Sequence, residues 1–144
     1  MKRSISAVIA ALFLTLPPAY ADVNVITENG AVEFDVPPQI TDGRTMVPMR
    51  RIFEALDARV EWFGASQLIL ATRNADIVAM VIGNPEITVT NVLSGKVKTI
   101  ELDVPPQITD GRTMVPLRAI SEALGMDVNW DDETRTITIS RRVI

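Results

Sequence analysis

The chain has no histidine and no cysteine in its 144 residues. Without cysteine there is no disulfide framework and no thiol nucleophile; without histidine there is no imidazole base. With both missing, an ordinary zinc or copper site goes too. Basic residues are also in short supply: 14 Lys and Arg against 18 Asp and Glu leave a formal net charge of -4. Nucleic acid is therefore not an expected partner, because binding phosphates takes a basic patch that releases counterions. What is there suits a globular chain, with 47% hydrophobic and 22% charged residues.

Residues 1–21 read as a secretory signal. Lys2 and Arg3 form a basic start, Ile5 to Leu16 is almost wholly apolar, Pro17-Pro18 breaks the run, and Ala19-Tyr20-Ala21 has the small-x-small form of a cleavage site. The run falls short of the roughly 20 apolar residues that a membrane span needs. The mature chain is expected to open at Asp22, with no membrane span, and to work outside the cytoplasm: secreted, or at the cell envelope, extracellular or periplasmic. Cleavage would also remove Tyr20, the only tyrosine.

The most informative feature is an internal repeat. The run from Asp35 to Pro48 recurs letter for letter from Asp103 to Pro116, an offset of 68. Beyond it, Arg50, Ile52, Glu54, Ala55, Leu56, Val60, Trp62 and Ile69 match Arg118, Ile120, Glu122, Ala123, Leu124, Val128, Trp130 and Ile137. Two tandem modules are expected, 22–83 and 84–144.

Each repeat has a local reading. Val32, Phe34 and Val36 alternate with Ala31, Glu33 and Asp35 as a half-buried strand would, and Ile100, Leu102 and Val104 do the same. Pro37-Pro38 and Pro105-Pro106 end that ladder, because proline has no N–H. Asp42-Gly43 and Asp110-Gly111 are two-residue hairpin turns. A helix should open at Pro48 and at Pro116. Met49, Ile52, Phe53 and Leu56 give it one apolar face, as do Leu117, Ile120 and Leu124. Gly125 is a natural stop, with Asp57 in its place in the first repeat. Strands follow at Val60–Trp62 and Leu68–Ala71, and at Val128–Trp130 and Thr136–Ile139. The fold class is α+β, each module a small antiparallel sheet wrapped around one short helix.

The repeats differ after the helix. Thr136 and Thr138 correspond to Leu68 and Leu70, and Asp131-Asp132-Glu133 to Phe63-Gly64-Ala65. The first repeat continues into Ile77–Ile82, apolar on both faces, which predicts a doubly buried strand. Leu68, Leu70, Val78, Met80 and Ile82 are therefore a candidate interface, between the modules or between two chains. The second repeat has no counterpart of this last strand, which invites a strand from a neighbouring chain.

The run Asp-Val-Pro-Pro-x-Ile-x-Asp-Gly-Arg-Thr-Met-Val-Pro-Leu-Arg-x-Ile-x-Glu-Ala-Leu-Gly, followed by Val-x-Trp-Asp, spans Asp103 to Asp131. It resembles the copper amine oxidase N-terminal-domain-like, or stalk domain, family. The first repeat matches through Trp62 and departs at Asp57 and Phe63. The resemblance implies a short antiparallel sheet around a helix, found in exported bacterial proteins and carrying neither copper nor quinone. The catalytic domain of such oxidases needs three copper-ligating histidines and a tyrosine-derived quinone, which this inventory does not supply.

Candidate sites are few. Arg44, Arg50, Arg112 and Arg118 recur once per repeat. They read as an anion or glycan-carboxylate clamp, or as arginines that stabilise the turn by binding nearby carbonyls or carboxylates such as Asp42 and Asp110, and the second reading is favoured. Trp62 and Trp130 alternate in phase with a Val two residues earlier, so the core suits them better than sugar stacking. Asp127, Asp131, Asp132 and Glu133 lack the loop spacing of a calcium site and fit a solvated turn. No cofactor, metal or catalytic residue is expected. The expected role is a non-catalytic stalk or binding module pair at the bacterial cell envelope. Its expected partner is a cell-wall polymer or another envelope protein. The alternatives are a self-associating structural protein, a strand-mediated homodimer, and, ranked below it, a carboxylate-based cell-wall hydrolase.

Overall fold

The computed structural model describes residues 23–142; the expected signal segment, residues 1–21, lies outside them. Among the described residues, thirteen strands and two short helices make a small, mostly β, α+β fold. Two hairpins stand at its centre. β3 (Gln39–Thr41) and β4 (Arg44–Pro48) form the first, β10 (Gln107–Thr109) and β11 (Arg112–Pro116) the second. Each turns on its Asp-Gly pair, with positive φ at Asp42, Gly43, Asp110 and Gly111, the backbone that a two-residue loop needs to match strand twist.

β4 and β11 pair antiparallel with Val47 opposite Val115, Met46 opposite Pro116 and Pro48 opposite Met114. Every pair is reciprocal at the repeat offset, so the hairpins are related by a local two-fold axis. The central sheet runs β10-β11-β4-β3. Pro48 and Pro116 have no N–H to extend the ladder, and the chain turns there into α1 (Met49–Ala55) and α2 (Leu117–Ala123). The proline is the cap of each helix rather than its first residue. Both helices bury the expected face and end in a left-handed residue, Asp57 at φ 59 and Gly125 at φ 84. Asp57 thus takes the conformation for which the second repeat uses glycine.

The outer sheets mix the two repeats. β5 (Arg59–Phe63), β6 (Leu68–Arg73), β7 (Asp76–Val81), β8 (Glu86–Asn91) and β9 (Val97–Glu101) form one antiparallel meander. The other sheet runs β12 (Met126–Asp131), β13 (Thr136–Arg141), β1 (Asn24–Thr27), β2 (Gly30–Ala31). β1 lies parallel to β13, with Val25 beside Ile137. The edge expected to invite a neighbouring chain is therefore filled by the start of the same chain. The ladder expected through residues 31–36 is also shorter than its pattern. β2 stops at Ala31, though the Val32 N–H still donates to the Val25 carbonyl at 2.8 Å. Glu33 to Pro38 belongs to no strand and the chain bends at Asp35 and Val36, although burial still alternates. Both Pro-Pro steps lie just ahead of a strand and keep the preceding backbone out of a ladder.

Apolar residues of both repeats share one core, which includes Ile52, Phe53, Ile69, Val78, Met80, Ile120, Leu124 and Ile139. A small second cluster, Met46, Met114 and Val104 with Val36 against it, lies apart from that core. Arg73 joins the helix ends: Nε donates to the Leu56 carbonyl at 3.1 Å and Nη1 to the Leu124 carbonyl at 3.2 Å. One guanidinium thus satisfies a terminal carbonyl on each helix, where the macrodipole favours a cation.

Candidate functional site

Two clefts flank the central sheet, of about 610 and about 510 Å³. Glu33, Asp35, Arg50, Glu54, Trp62 and Arg112 line the first. Glu101, Asp103, Arg118, Glu122, Trp130 and Arg44 line the second. Taken in order, each residue of the second stands at the repeat position of its counterpart in the first. The clefts are one site built twice.

Four elements position each site. The segment before the Pro-Pro step supplies Glu33 and Asp35, or Glu101, at the end of β9, and Asp103. The first turns of the helix bring Arg50 and Glu54, or Arg118 and Glu122. The end of the strand after the helix brings the tryptophan. The remaining arginine comes from the Asp-Gly turn of the other repeat, so neither cleft is complete within one repeat.

That crossing arginine makes the central contact. Arg112 donates from Nε and Nη2 to Asp35 Oδ2 at 3.0 and 2.5 Å. Arg44 donates from Nε to Asp103 Oδ2 at 2.9 Å, with a second bond from Nη2. The sequence pointed instead to Asp42 and Asp110. Those are closer along the chain, but the hairpins face each other and aim each turn at the opposite repeat. The hydrogen bond from Arg112 holds the Asp35 carboxyl below its ordinary range, and Asp35 in turn raises Arg112.

Arg118 donates to the Val128 carbonyl at 3.0 Å and lies 3.8 Å from Glu122. The side chain of its counterpart Arg50 is exposed and has no hydrogen bond or ion pair to another described residue. Arg51 beside it holds the Glu33 carbonyl at 2.7 Å. Acidic and basic groups come close to balance in each cleft, which suits polar uncharged groups better than a polyanion.

Both tryptophans depart from the core expectation: Trp62 is 39% and Trp130 42% exposed. Their phase is as read, since they pair with the inward-facing Ile69 and Ile137. A helix of seven residues covers only about 10 Å of strand, so the ring near the strand end projects past it into the cleft. Arg135 stacks over Trp130 at 5.6 Å.

The remaining sequence candidates fall elsewhere. Val78 and Met80 lie in the shared core and Ile82 is half-buried against it. Leu68 and Leu70 are half-buried on the opposite face of the same sheet. The 77–82 strand is thus buried on one face only, because Ile77, Ala79 and Val81 share that outer face. In the acidic group, Asp131 Oδ1 accepts from the Glu133 and Thr134 amides at 3.0 and 3.3 Å, a turn contact. Among the described residues, no helix is long and apolar enough to cross a membrane. The cleft carboxylates Glu33, Asp35, Glu101 and Asp103 carry a signal in the sequence as well, since the same acidic residue recurs at each pair of repeat positions.

A family model described as the copper amine oxidase N-terminal domain matches residues 26–139, one stretch that runs through both repeats. The domain so described is a non-catalytic, stalk-like one. No curated protein and no solved structure matches the chain. By that match, the chain belongs to the copper amine oxidase N-terminal domain family.

Proposed function

We propose that the protein is an exported, non-catalytic pair of tandem modules that binds cell-wall glycan at the bacterial envelope through its two clefts. The observation that carries this reading is the duplicated site: a part-exposed indole beside carboxylates and a guanidinium, once per repeat. An indole offers a flat apolar face to a sugar ring while the charged groups reach its hydroxyl and amide groups. Two equivalent sites suit a repeating polymer, because engaging both raises avidity without a new contact. Removal of residues 1–21 on export is part of the proposal. Its non-catalytic part has support in the family match, since the domain so described is a non-catalytic one.

Retention on purified peptidoglycan tests the reading. The intact chain is expected in the bound fraction, Trp62→Ala and Trp130→Ala each to weaken retention, and the double variant to abolish it. An intact chain that stays in the supernatant overturns the reading. Clearing on a cell-wall zymogram would overturn the non-catalytic part and favour the carboxylate-based hydrolase.

A further inference from the structure

The hairpin that leads into each Pro-Pro step is built at two lengths. In the first repeat, β1 and β2 pair Thr27 with Gly30, and Glu28-Asn29 closes the turn. The Val32 N–H bonds the Val25 carbonyl there, and Ile100, at the repeat position of Val32, pairs with Ile87. Six residues lie between Val25 and Val32, twelve between Ile87 and Ile100. The second hairpin thus runs on for about 7 Å of ladder and a wider turn, and the first shows that the fold does not need this extension. At its tip Val92 is 57%, Leu93 86% and Val97 62% exposed. Lys96 and Lys98, the only lysines after Lys2, stand among them and form no ion pair with a described residue. No acidic residue lies between Glu86 and Glu101. Asp76, opposite Asn91 on β7, accepts from Asn91 Nδ2 at 3.0 Å. The turn is also fixed in shape: Asn91 Oδ1 accepts from the Leu93 and Ser94 amides at 3.1 and 2.9 Å. The Gly95 amide, at φ 74, donates to the Asn91 carbonyl at 2.8 Å.

We infer that this hairpin tip docks on an anionic lipid surface, Val92 and Leu93 entering the boundary below the headgroups while Lys96 and Lys98 meet the headgroups themselves. Two chemistries side by side point to that occupant. Apolar side chains gain from an apolar phase, which a glycan or a phosphate polymer does not offer. The lysines gain from anionic groups beside that phase. A bilayer surface supplies both, and lysine stems lie along apolar surface while the ammonium stays wet. Charge also sets the orientation: the chain is net acidic, so an anionic surface repels most of it and attracts the tip. Because the turn is already ordered, docking does not have to immobilise it. The tip shares no residue with the lining of either cleft, so this docking is independent of the glycan reading. Three apolar side chains and two charges make a weak, reversible anchor, since even a whole myristoyl chain holds only marginally.

Co-sedimentation with vesicles tests it. The chain without residues 1–21 is used; it keeps every described element and loses a run that would itself enter lipid. It is expected to bind vesicles of equal parts phosphatidylcholine and phosphatidylglycerol, less so as salt rises, and not to bind phosphatidylcholine alone. Leu93→Ser is expected to weaken binding about tenfold, and Lys96→Glu with Lys98→Glu at least about twentyfold. Circular dichroism is expected to be unchanged, since these side chains lie outside the core. A chain that stays in the supernatant with the anionic vesicles overturns the inference. So does binding that Leu93→Ser leaves unweakened, which is adsorption by charge alone, or equal binding to the neutral vesicles. A photo-crosslinker at position 93 that captures protein on cells, with the vesicles left bare, overturns it in favour of a protein partner.

Discussion

Val47 and Val115, the same position in the two repeats, face each other across β4 and β11, and both are fully buried. The local two-fold axis passes between them. The reciprocal bonds Arg112–Asp35 and Arg44–Asp103 and the paired clefts follow from that one register. Because proline at either end limits the pairing to a short ladder, packing at the two valines does much to hold the register.

Val47→Thr and Val115→Thr should therefore each cost about 1–3 kcal/mol, by placing a hydroxyl without a partner where a methyl was. Denaturant unfolding of both variants measures this. Similar losses are expected from two environments related by symmetry; a cost at only one position would contradict that equivalence.

The Asp35 carboxyl should titrate below the ordinary aspartate range and return toward it in Arg112→Gln. Its folded-state value lies below the unfolded one, so the contribution of the pair is present above the ordinary aspartate range. It is lost as pH falls through the lowered value. Carboxyl NMR titration of the two proteins reads this directly; an unmoved Asp35 in the variant would show that Arg112 is not the cause.

Arg73→Met keeps most of the stem while removing the group that bonds Leu56 and Leu124. About 1.5–3 kcal/mol should be lost, the range for hydrogen bonds from a charged donor. Faster hydrogen exchange at the ends of both helices should accompany the loss. Exchange that rises at one helix only would show that the guanidinium serves that helix alone.

Ser121 Oγ is fully buried with no hydrogen-bond partner among the described residues, and the first repeat has Phe53 at that position. Ser121→Ala is thus expected to stabilise the fold by about 1 kcal/mol. A lower melting temperature would mean that the hydroxyl has a partner after all.

Much of the local structure was legible in the chain. The Asp-Gly turns, the apolar face of each helix and the strands after them depend on residues close in sequence, and their φ preferences and periodicities are intrinsic. The phase of Trp62 and Trp130 was legible for the same reason. Their exposure was not, because it depends on where a seven-residue helix stops over a neighbouring strand. The partners of Arg44 and Arg112 were hidden too. Asp42 and Asp110 are nearer along the chain, and only the pairing of the hairpins brings Asp103 and Asp35 closer in space.

The amino-acid sequence alone determined the repeat, the chemical inventory without histidine or cysteine, and the local elements, since all of these are written in residue identity and short-range spacing. Only the tertiary structure decided that each outer sheet draws strands from both repeats, that each cleft borrows an arginine from the opposite hairpin, and that the tryptophans face solvent. The physical reason is that these relationships join residues tens of positions apart. Pairing at that distance is settled by the burial of a shared core, not by the preference of any single segment.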